Sequence, residues 1–385
     1  MKYTRIIIIG ILILFIIFLL IKGRKINNNK INDNKINDNI NDNSQEIYFK
    51  LRDTCEYKMT EAMSLFFDRN NIKNIKKEHL TNKKIIFIPC IYDSPEKEIN
   101  AMAKTKNNYY MILNNCDEIV GKNFLWKYLY DYYGNNVTKY LPKSYLPYDT
   151  NSMEEFMKDF KEGKLYIMKK NMQRQEGIII SSNFNEIITK LKEKNANFAI
   201  IQELLQNPFL VNGRKINLRV YVLLVVKNND YSIYVYDDGF MYYTPKMFEK
   251  NSKDIDTNIT TGYIDRKVYE ENPLTHDDFK KFLGEQKSQI IFQNIRNLIK
   301  DILEPYRKLL VSTQSFPSST QFQIFGADVA VNDDMTSTIM EINKGPDLTP
   351  KDARDGFLKK KLMDDVFAVI NIIKGDGNNR FIKVN

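Results

Sequence analysis

The sequence predicts a globular body of mixed strands and helices, arranged in α/β or α+β layers, behind an apolar N-terminal segment. The chain has 385 residues, enough for two or three layers of core around a cleft. It is 43% hydrophobic and contains 23 Tyr and 23 Phe, which is typical of a globular protein. Short apolar runs bounded by turn-forming residues alternate with segments of helical periodicity.

The first 25 residues are predicted to be a membrane anchor. Residues 6–21 form an almost continuous apolar run of about 16 residues, or about 24 Å of helix. No small-residue cleavage site follows, which favours one uncleaved transmembrane helix over a signal peptide. More basic residues follow the run (Lys22, Arg24, Lys25 and Lys30) than precede it (Lys2 and Arg5). The positive-inside tendency therefore predicts a single-pass membrane protein whose folded body faces the cytosol.

Residues 26–46 are rich in Asn, Lys and Ile and are predicted to form a disordered tether, because so polar a run buries too little surface to offset its ordering entropy. The folded body should begin near Ile47. Beyond it we predict an N-terminal α/β subdomain over residues 47–150, a larger region over 151–375 and a tail over 376–385.

Within the body, hydrophobic periodicity predicts the elements in turn. The predicted strands are 83–89, 108–114, 165–170, 176–181, 197–205, 215–226, 231–239, 240–244, 322–332 and 336–343. The predicted helices are 121–133, 184–194, one or two within 279–312, and 357–373. Residues 165–170 and 176–181 should pair as a hairpin.

Residue usage excludes several kinds of site. Two histidines are too few for a multi-histidine metal centre or a histidine-based hydrolase. The three cysteines are odd in number and have no CxxC spacing, which argues against a zinc site or a disulfide framework. The net charge of +9 suits an acidic partner or simply reflects a lysine-rich composition. No basic patch interleaved with aromatic residues is present, so nucleic acid is not an expected partner.

The last predicted strand pair carries oxygen ligands. Glu341 and Asn343 lie two residues apart, so their side chains leave the same face of one strand. Asp328 lies on the preceding strand. Two carboxylates and an amide oxygen suit magnesium better than zinc. The alternative is that they are solvated residues at strand ends, but Asp328 and Glu341 interrupt strongly apolar strands, where an unpaired carboxylate is costly.

A second polar group lies on the predicted strand 215–226. Alternation puts Lys215, Asn217 and Arg219 on one face, an arrangement that suits a polyphosphate or a carboxylate, although a half-exposed strand face is the simpler alternative. Lys169 ends another apolar strand ahead of a turn and is a weaker candidate for contacting phosphate. The sequence has no P-loop, GxGxxG or GxSxG motif, so any bound ATP must lie between sheets.

These three groups, in this order, resemble the tubulin-tyrosine-ligase-like branch of the ATP-grasp enzymes. The resemblance spans about residues 114–348. The segments that carry it are 121–123, 141–147, 166–169, 174–178, 201–204, 215–219, 322–328, 340–343 and 345–346.

The resemblance implies an ATP-grasp fold over residues 151–375, with the nucleotide held between two sheets. It also implies that ATP and Mg²⁺ are used to form an amide bond, through an acyl-phosphate, between an amino acid and a protein acceptor with an acidic tail, such as tubulin. Its functional residues map onto magnesium ligands (Asp328, Glu341 and Asn343), nucleotide contacts (Lys169, Arg174, Gly177, Gln202, Glu203, Leu204, Lys215 and Asn217) and catalytic residues (Lys215 and Arg219).

The sequence departs from the family pattern mainly on the acceptor side. Asn217 replaces the usual aspartate, Tyr242 stands in the place of an arginine, and Gln323 replaces a glutamate. Two other hypotheses therefore remain. One is a carboxylate–amine ligase of this fold that acts on a substrate other than tubulin. The other is a catalytically silent nucleotide-binding module tethered to a membrane.

Overall fold

The computed structural model describes residues 46–51, 59–75, 83–90, 95–102, 105–171 and 177–385. The predicted anchor and nearly all of the predicted tether lie outside these residues. Across the described ranges, no helix is both long enough and apolar enough to cross a membrane.

The described residues form fourteen strands. They are β1 (Ile47–Leu51), β2 (Lys73–Asn74), β3 (Lys84–Ile88), β4 (Tyr109–Tyr110), β5 (Ser144–Tyr145), β6 (Tyr166–Lys170), β7 (Ile178–Ser181), β8 (Phe198–Glu203), β9 (Leu210–Val211), β10 (Arg214–Lys227), β11 (Asp230–Tyr243), β12 (Thr320–Val331), β13 (Ser337–Lys344) and β14 (Phe381–Lys383).

The α-helices pack around these strands. They are α1 (Glu61–Arg69), α2 (Pro95–Ala101), α3 (Asp117–Val120), α4 (Lys122–Tyr133), α5 (Thr150–Asp159), α6 (Phe184–Lys192), α7 (Ile255–Asn258), α8 (Val268–Glu271), α9 (His276–Leu283), α10 (Glu285–Leu303), α11 (Arg307–Ser312) and α12 (Ala353–Val369). Two 3₁₀ turns, Gly134–Lys139 and Glu304–Tyr306, complete the helical elements of the described chain.

The strands make two sheets. The large sheet has the order β14-β11-β10-β12-β4-β3-β1-β2, with β13 also paired to β12 and β9 to β10. Its long strands β10, β11, β12 and β13 are antiparallel neighbours, whereas β1, β3 and β4 are parallel. The small sheet has the order β5-β8-β6-β7. The fold is therefore mixed α/β, as predicted, and two sheets are available to enclose a ligand.

Strand β10 shows how the sequence sets up a polar face on a buried sheet. Ile216, Leu218 and Val220 belong to a fully buried core that also contains residues of α4 and α10. The intervening residues point to the other face, because side chains alternate along a strand. A register shift between Val220 and Val222 separates the polar end of this face from its apolar end, where Tyr221 packs in a second core with α12.

Most predicted elements are present. The hairpin is confirmed, since β6 and β7 pair antiparallel. The predicted strands 231–239 and 240–244 are instead one continuous strand, β11. The predicted strand 108–114 is reduced to the two residues of β4. The cysteine count argues against a disulfide framework, yet Cys90 is disulfide-bonded, while Cys116 is free and buried.

The C-terminal tail also differs from the prediction, because it contains strand β14. This strand pairs with β11, and the Phe381 ring packs on the Tyr236 ring with 4.9 Å between centroids. The Arg380 guanidinium donates hydrogen bonds to both carboxylate oxygens of Asp277, at 2.8 and 2.7 Å. A short strand held this way depends on partners distant in sequence, so local periodicity does not reveal it.

Candidate functional site

Lys169 lies on β6 of the small sheet, between Ile178 of β7 and Ile200 of β8. Its side chain is buried, and within the described chain no carboxylate forms an ion pair with it. Burial lowers the pKa of Lys169 to about 8, and the more distant charges of Glu341 and Asp328 offset this only in part. A buried cation without a paired anion is unfavourable, so this position is suited to receiving a negative group.

Lys215 is a second buried cation of the same kind. It lies at the start of β10 and donates a hydrogen bond to the carbonyl oxygen of Leu205, at 3.3 Å. Burial, together with repulsion from Lys169, lowers its pKa to about 8. Although the two lysines come from different sheets, Lys215 is close enough to Lys169 for their charges to repel each other. Together they form a positive region suited to a polyanion.

Arg219 and the three predicted magnesium ligands lie on neighbouring strands of the large sheet. Asp328 of β12 is directly opposite Arg219 of β10 on one side and Glu341 of β13 on the other. The guanidinium donates to Asp328 through Nε, at 2.6 Å, and through Nη2, at 3.1 Å. Asn343 donates through Nδ2 to Oε1 of Glu341, at 3.0 Å, which leaves its amide oxygen as a further oxygen ligand.

The two carboxylates have different acidities. Burial raises the pKa of Asp328 to about 6; Arg219 opposes this rise and Glu341 adds to it. Burial also acts to raise the pKa of Glu341, but Lys122 and the Asn343 hydrogen bond outweigh it and leave the pKa lowered. Adjacent carboxylates with hard oxygen donors are the kind of site that Mg²⁺ occupies. In the described part of the chain no three His, Cys, Asp or Glu residues come together as a metal site.

Lys122 is a site residue that local strand patterns missed. It opens α4, and its Nζ lies 3.6 Å from Oε2 of Glu341. The neighbouring Asn123 accepts a hydrogen bond from Asn171, which follows β6. The sequence feature that could have identified Lys122 is the family-like segment 121–123. Its hydrophobic periodicity does not distinguish Lys122 from other lysines at helix starts.

Gly326 provides the space in which Arg219 lies. It is opposite Tyr221 on β10 and Asn343 on β13. A Cβ atom at this position would lie 3.1 Å from both Cδ and Nη1 of Arg219 and 3.0 Å from Cβ of Pro346. Even an alanine here would therefore require Arg219 or Pro346 to shift by a few tenths of an ångström.

The predicted adenine segment is the end of β8. The Gln202 side chain is buried and donates to the Ser144 hydroxyl oxygen, at 2.8 Å. The Glu203 carboxylate forms an ion pair with Lys164, at 2.6 Å, and the Leu204 amide donates to the Leu165 carbonyl, at 2.9 Å. The two polar side chains and the main-chain amides of Glu203 and Leu204 thus have partners within the described structure.

The predicted loop ahead of β7 is described only in part. Arg174 lies outside the described residues. Gly177 has a φ of +70°, and a Cβ there would lie 2.8 Å from Cγ and Cδ of Lys170. This backbone conformation and close approach both require glycine.

Asn217, between Lys215 and Arg219, has a buried side-chain oxygen with no hydrogen-bond partner in the described structure. Its cross-strand neighbour on β11 is Tyr242. The Arg219 guanidinium lies over the Tyr242 ring, 5.0 Å from its centroid. The two departures from the family pattern are therefore direct neighbours, on the face of the sheet that carries Arg219.

Relatives of this chain carry names from one family. A "Probable tubulin polyglutamylase TTLL9" of Rattus norvegicus is 26% identical over 183 residues, 45% of this chain and 38% of the relative. A "Probable tubulin polyglutamylase TTLL2" of Homo sapiens is 22% identical over 275 residues, covering 65% of this chain and 44% of the relative. A "Probable beta-tubulin polyglutamylase" of Tetrahymena thermophila is 22% identical over 260 residues, covering 60% and 21%.

The chain spans less than half the length of these three relatives. The family model described as "Tubulin-tyrosine ligase family" matches residues 101–379, which is well over half of the chain. This range contains β6, β10, β12 and β13, and so includes the lysines, the arginine and the carboxylates of the site. The chain belongs to the tubulin-tyrosine ligase family.

Proposed function

We propose that this chain is an ATP- and Mg²⁺-dependent ligase that joins an amino acid to a carboxylate of a protein acceptor. The observation that carries the proposal is the pair of buried lysines, Lys169 and Lys215, of which Lys169 is close enough to feel the charges of Glu341 and Asp328. Each lysine has a lowered pKa and no carboxylate partner within the described structure. A bound polyphosphate would supply the missing negative charge, and the carboxylates would hold a magnesium ion that offsets part of the phosphate charge.

The proposed roles follow from position and charge. Asp328, Glu341 and the amide oxygen of Asn343 would hold Mg²⁺, which neutralises phosphate charge when bound. Lys169 and Lys215 would contact phosphate oxygens. The remaining nucleotide contacts would come from Arg174, Gly177, Gln202, Glu203, Leu204 and Asn217.

The reaction needs no nucleophilic side chain. An acceptor carboxylate oxygen would attack the γ-phosphorus of ATP, with loss of ADP, to give an acyl-phosphate. The amine of an amino acid would then attack the acyl carbon, with loss of inorganic phosphate and of one amine proton, to give the amide. Negative charge accumulates on the phosphoryl group and then on the acyl oxygen, and Arg219 is the cation we assign to stabilise it. Arg219 stays charged, because Asp328 raises its pKa above the usual range against the effect of burial.

We propose a protein with an acidic tail as the acceptor, with tubulin as the first candidate. The relatives named as tubulin polyglutamylases support this choice, and the net charge of +9 is of the right sign for an acidic tail. A ligase of the same fold acting on another acidic protein, and a silent nucleotide-binding module, are the alternatives that the assays below distinguish.

The nucleotide site is tested by thermal unfolding of the full chain in detergent, with MgATP or with Mg²⁺ alone. A ligand at 100 times its dissociation constant adds about 2.7 kcal/mol to the free energy of unfolding. We expect MgATP to stabilise the wild type and a Glu154→Gln control, whose exposed carboxylate has no ion pair among the described residues. Glu341→Gln should lose most of this stabilisation. A wild type that MgATP does not stabilise would contradict the proposal.

The acceptor is tested by incubating the chain with MgATP, radiolabelled amino acids and either tubulin or tubulin lacking its acidic tails. Label that appears on intact tubulin but not on tubulin lacking its tails would support the ligase proposal with tubulin as acceptor. Label only on other proteins of a cell extract would support a ligase with a different acceptor. Nucleotide binding without label on any acceptor would favour the silent module.

A further inference from the structure

The Arg219 guanidinium is held on three sides by residues of β11 and β12. Along one edge, Nε and Nη2 donate hydrogen bonds of 2.6 and 3.1 Å to Asp328. One face lies over the Tyr242 ring, with 5.0 Å between Cζ and the ring centroid. The remaining nitrogen, Nη1, lies beside Gly326, where an added Cβ would be only 3.1 Å away. The arginine therefore has little freedom to change its orientation.

Nη1 is the nitrogen of this guanidinium for which the described residues provide no hydrogen-bond acceptor. The residue paired with Gly326 on β13 is Asn343, one of the magnesium ligands that we propose. Directly paired residues of neighbouring strands have their side chains on the same face of a sheet. The free donors of Nη1 therefore lie on the face of the sheet that carries the proposed metal ligands.

The hydrogen bonds to Asp328 do not fix the tilt of the guanidinium by themselves. A planar group that is bonded along one edge can still swing about that edge, and Nη1 lies off the edge, so tilting would displace it. The Tyr242 ring blocks this motion on one face. The ring is itself supported by the segment at Gly262, where an added Cβ would lie 3.0 Å from Cε1 and Cζ of the ring.

A tyrosine is well suited to supporting a buried guanidinium. Guanidinium groups stack on aromatic rings, because they are weakly hydrated and are attracted by the negative face of the ring. Burial raises the pKa of the Tyr242 hydroxyl above its usual range, although Arg219 acts in the opposite direction, so the side chain is neutral at physiological pH. The arginine of the family pattern would instead place a second cation beside Arg219.

We propose that Tyr242 is a positioning residue, whose ring keeps the Arg219 guanidinium in the orientation in which Nη1 donates to the acyl-phosphate. The proposal rests on the proposed ligase function, in which Arg219 stabilises the negative charge of the phosphoryl group and the acyl oxygen. Tyr242 acts through Arg219 and need not touch the substrate. Its aromatic face is essential to this role, and its hydroxyl is not.

The contact is tested without any substrate, by a double-mutant cycle of Tyr242→Leu and Arg219→Met. Urea unfolding of the full chain in detergent gives the unfolding equilibrium constants of the wild type, both single variants and the double variant. We expect the two substitutions to be coupled by about tenfold in this constant, as for a desolvated cation–π contact. A second cycle with Tyr242→Phe should give a coupling below about twofold, because this variant keeps the ring.

The positioning role is tested by steady-state kinetics of the full chain with MgATP and the acceptor found by the labelling assay. Tyr242→Leu should lower kcat roughly tenfold to a hundredfold, because a small displacement of a group that acts on the transition state is costly. The KM for ATP should change by less than about threefold, since Arg219 is assigned to the transition state. Tyr242→Phe should restore kcat to within about twofold of the wild type.

The matched control is Tyr234→Leu. It removes a half-buried tyrosine of the same strand, whose cross-strand neighbours are Leu223 and Lys383. This variant loses a ring of the same size away from Arg219, so its kcat should equal that of the wild type.

The outcomes separate this proposal from the proposed function. A coupling near zero, or an unchanged kcat in Tyr242→Leu, would overturn the positioning role and leave the ligase standing. An equal loss of kcat in Tyr242→Phe and Tyr242→Leu would also overturn it, because the hydroxyl would then be the essential group. A wild type that labels no acceptor would overturn the ligase proposal and the positioning role together. Measurable coupling, with a loss of kcat confined to Tyr242→Leu, would support the positioning role.

Discussion

Arg219 and Asp328 face each other across the β10–β12 pair and are joined by two hydrogen bonds in a fork arrangement, of 2.6 and 3.1 Å. Their side chains are only 13% and 12% exposed, so neither charge is well solvated by water. Each charge therefore depends on the other for stabilisation. A bound metal ion would compete with Arg219 for Asp328, which connects metal binding to the freedom of the arginine.

Replacing Arg219 by Met should lower the free energy of unfolding by about 3–5 kcal/mol, because a buried carboxylate is left without its partner. Urea unfolding at neutral pH measures this. The control is Lys127→Met, which breaks an exposed pair with Asp131 worth about 0.5 kcal/mol or less. A loss below about 1 kcal/mol in Arg219→Met would mean that Asp328 is solvated or paired with another group.

The two buried lysines predict a distinctive dependence of stability on pH. The pKa values of Lys169 and Lys215 are about 8 in the folded protein, against about 10.4 in an unfolded chain. Between these pH values the unfolded chain binds more protons, so the free energy of unfolding should rise with pH. Other groups titrate as well. The useful quantity is therefore the difference in the free energy of unfolding between the wild type and Lys169→Met.

Lys169→Met should have the higher free energy of unfolding near pH 7.5, where most of the buried Lys169 charge is present. Its advantage over the wild type should shrink by pH 9.5, where that charge is largely lost. Urea unfolding without nucleotide at both pH values measures it. Lys227→Met, an exposed lysine at the end of β10, is the matched control and should show no such change. A difference independent of pH would refute the lowered pKa of Lys169.

Gly326→Ala should impair nucleotide-dependent stabilisation. The added Cβ would lie 3.1 Å from two atoms of Arg219, which forces the guanidinium to move. We expect the apparent affinity for MgATP, measured from its stabilising effect, to fall at least tenfold. The protein should still fold. Gly375→Ala is the control, because its Cβ would meet only ordinary contact at 3.5 Å, with Ala368. Equal MgATP affinity in both variants would show that the position of Arg219 is unimportant for binding.

Asn217 and Tyr242 offer a test of whether two departures from the family pattern compensate for each other. The family residues, aspartate and arginine, have opposite charges, and these two positions are cross-strand neighbours. Asn217→Asp alone should destabilise the protein, because a charge would replace an amide whose oxygen is buried without a hydrogen-bond partner. Tyr242→Arg alone should do so by adding a cation near Arg219. The double variant should be more stable than the sum of the single changes by about 1 kcal/mol. A coupling energy near zero, measured by urea unfolding, would mean that the two substitutions are independent.

The sequence predicts which candidate residues share a strand face better than it predicts their partners across the sheet. Glu341 and Asn343 lie on one strand face, and the period of two is enough to predict this. The pairing of Asp328 with Arg219 depends on β10 and β12 being neighbours, which no local pattern specifies. The role of Lys122 likewise depends on the position of a helix start beside β13. The sequence therefore identifies such charged residues as candidates, but it does not predict which residues they contact.

The last ten residues also show that local sequence patterns do not reveal contacts with residues distant in sequence. Residues 376–385 have too few apolar positions to predict a strand. Strand β14 nevertheless forms, because Phe381 packs against Tyr236 and Arg380 donates hydrogen bonds to a group of acidic residues. The energy that orders this segment comes from tertiary contacts, which local propensity does not include.

Arg380→Met should therefore detach β14 and lower the free energy of unfolding by about 2 kcal/mol. The substitution removes charge-assisted hydrogen bonds to Asp277 and Asp238 and leaves these neighbouring carboxylates to repel each other. Amide hydrogen exchange should show faster exchange in β14 and in the facing part of β11. Lys383→Met is the matched control, since this exposed lysine lies on the same strand and has no ion pair within the described residues. If Arg380→Met exchanges as slowly as the wild type, backbone pairing and the Phe381 contact hold the strand by themselves, and the arginine serves only to balance the charge of the acidic group.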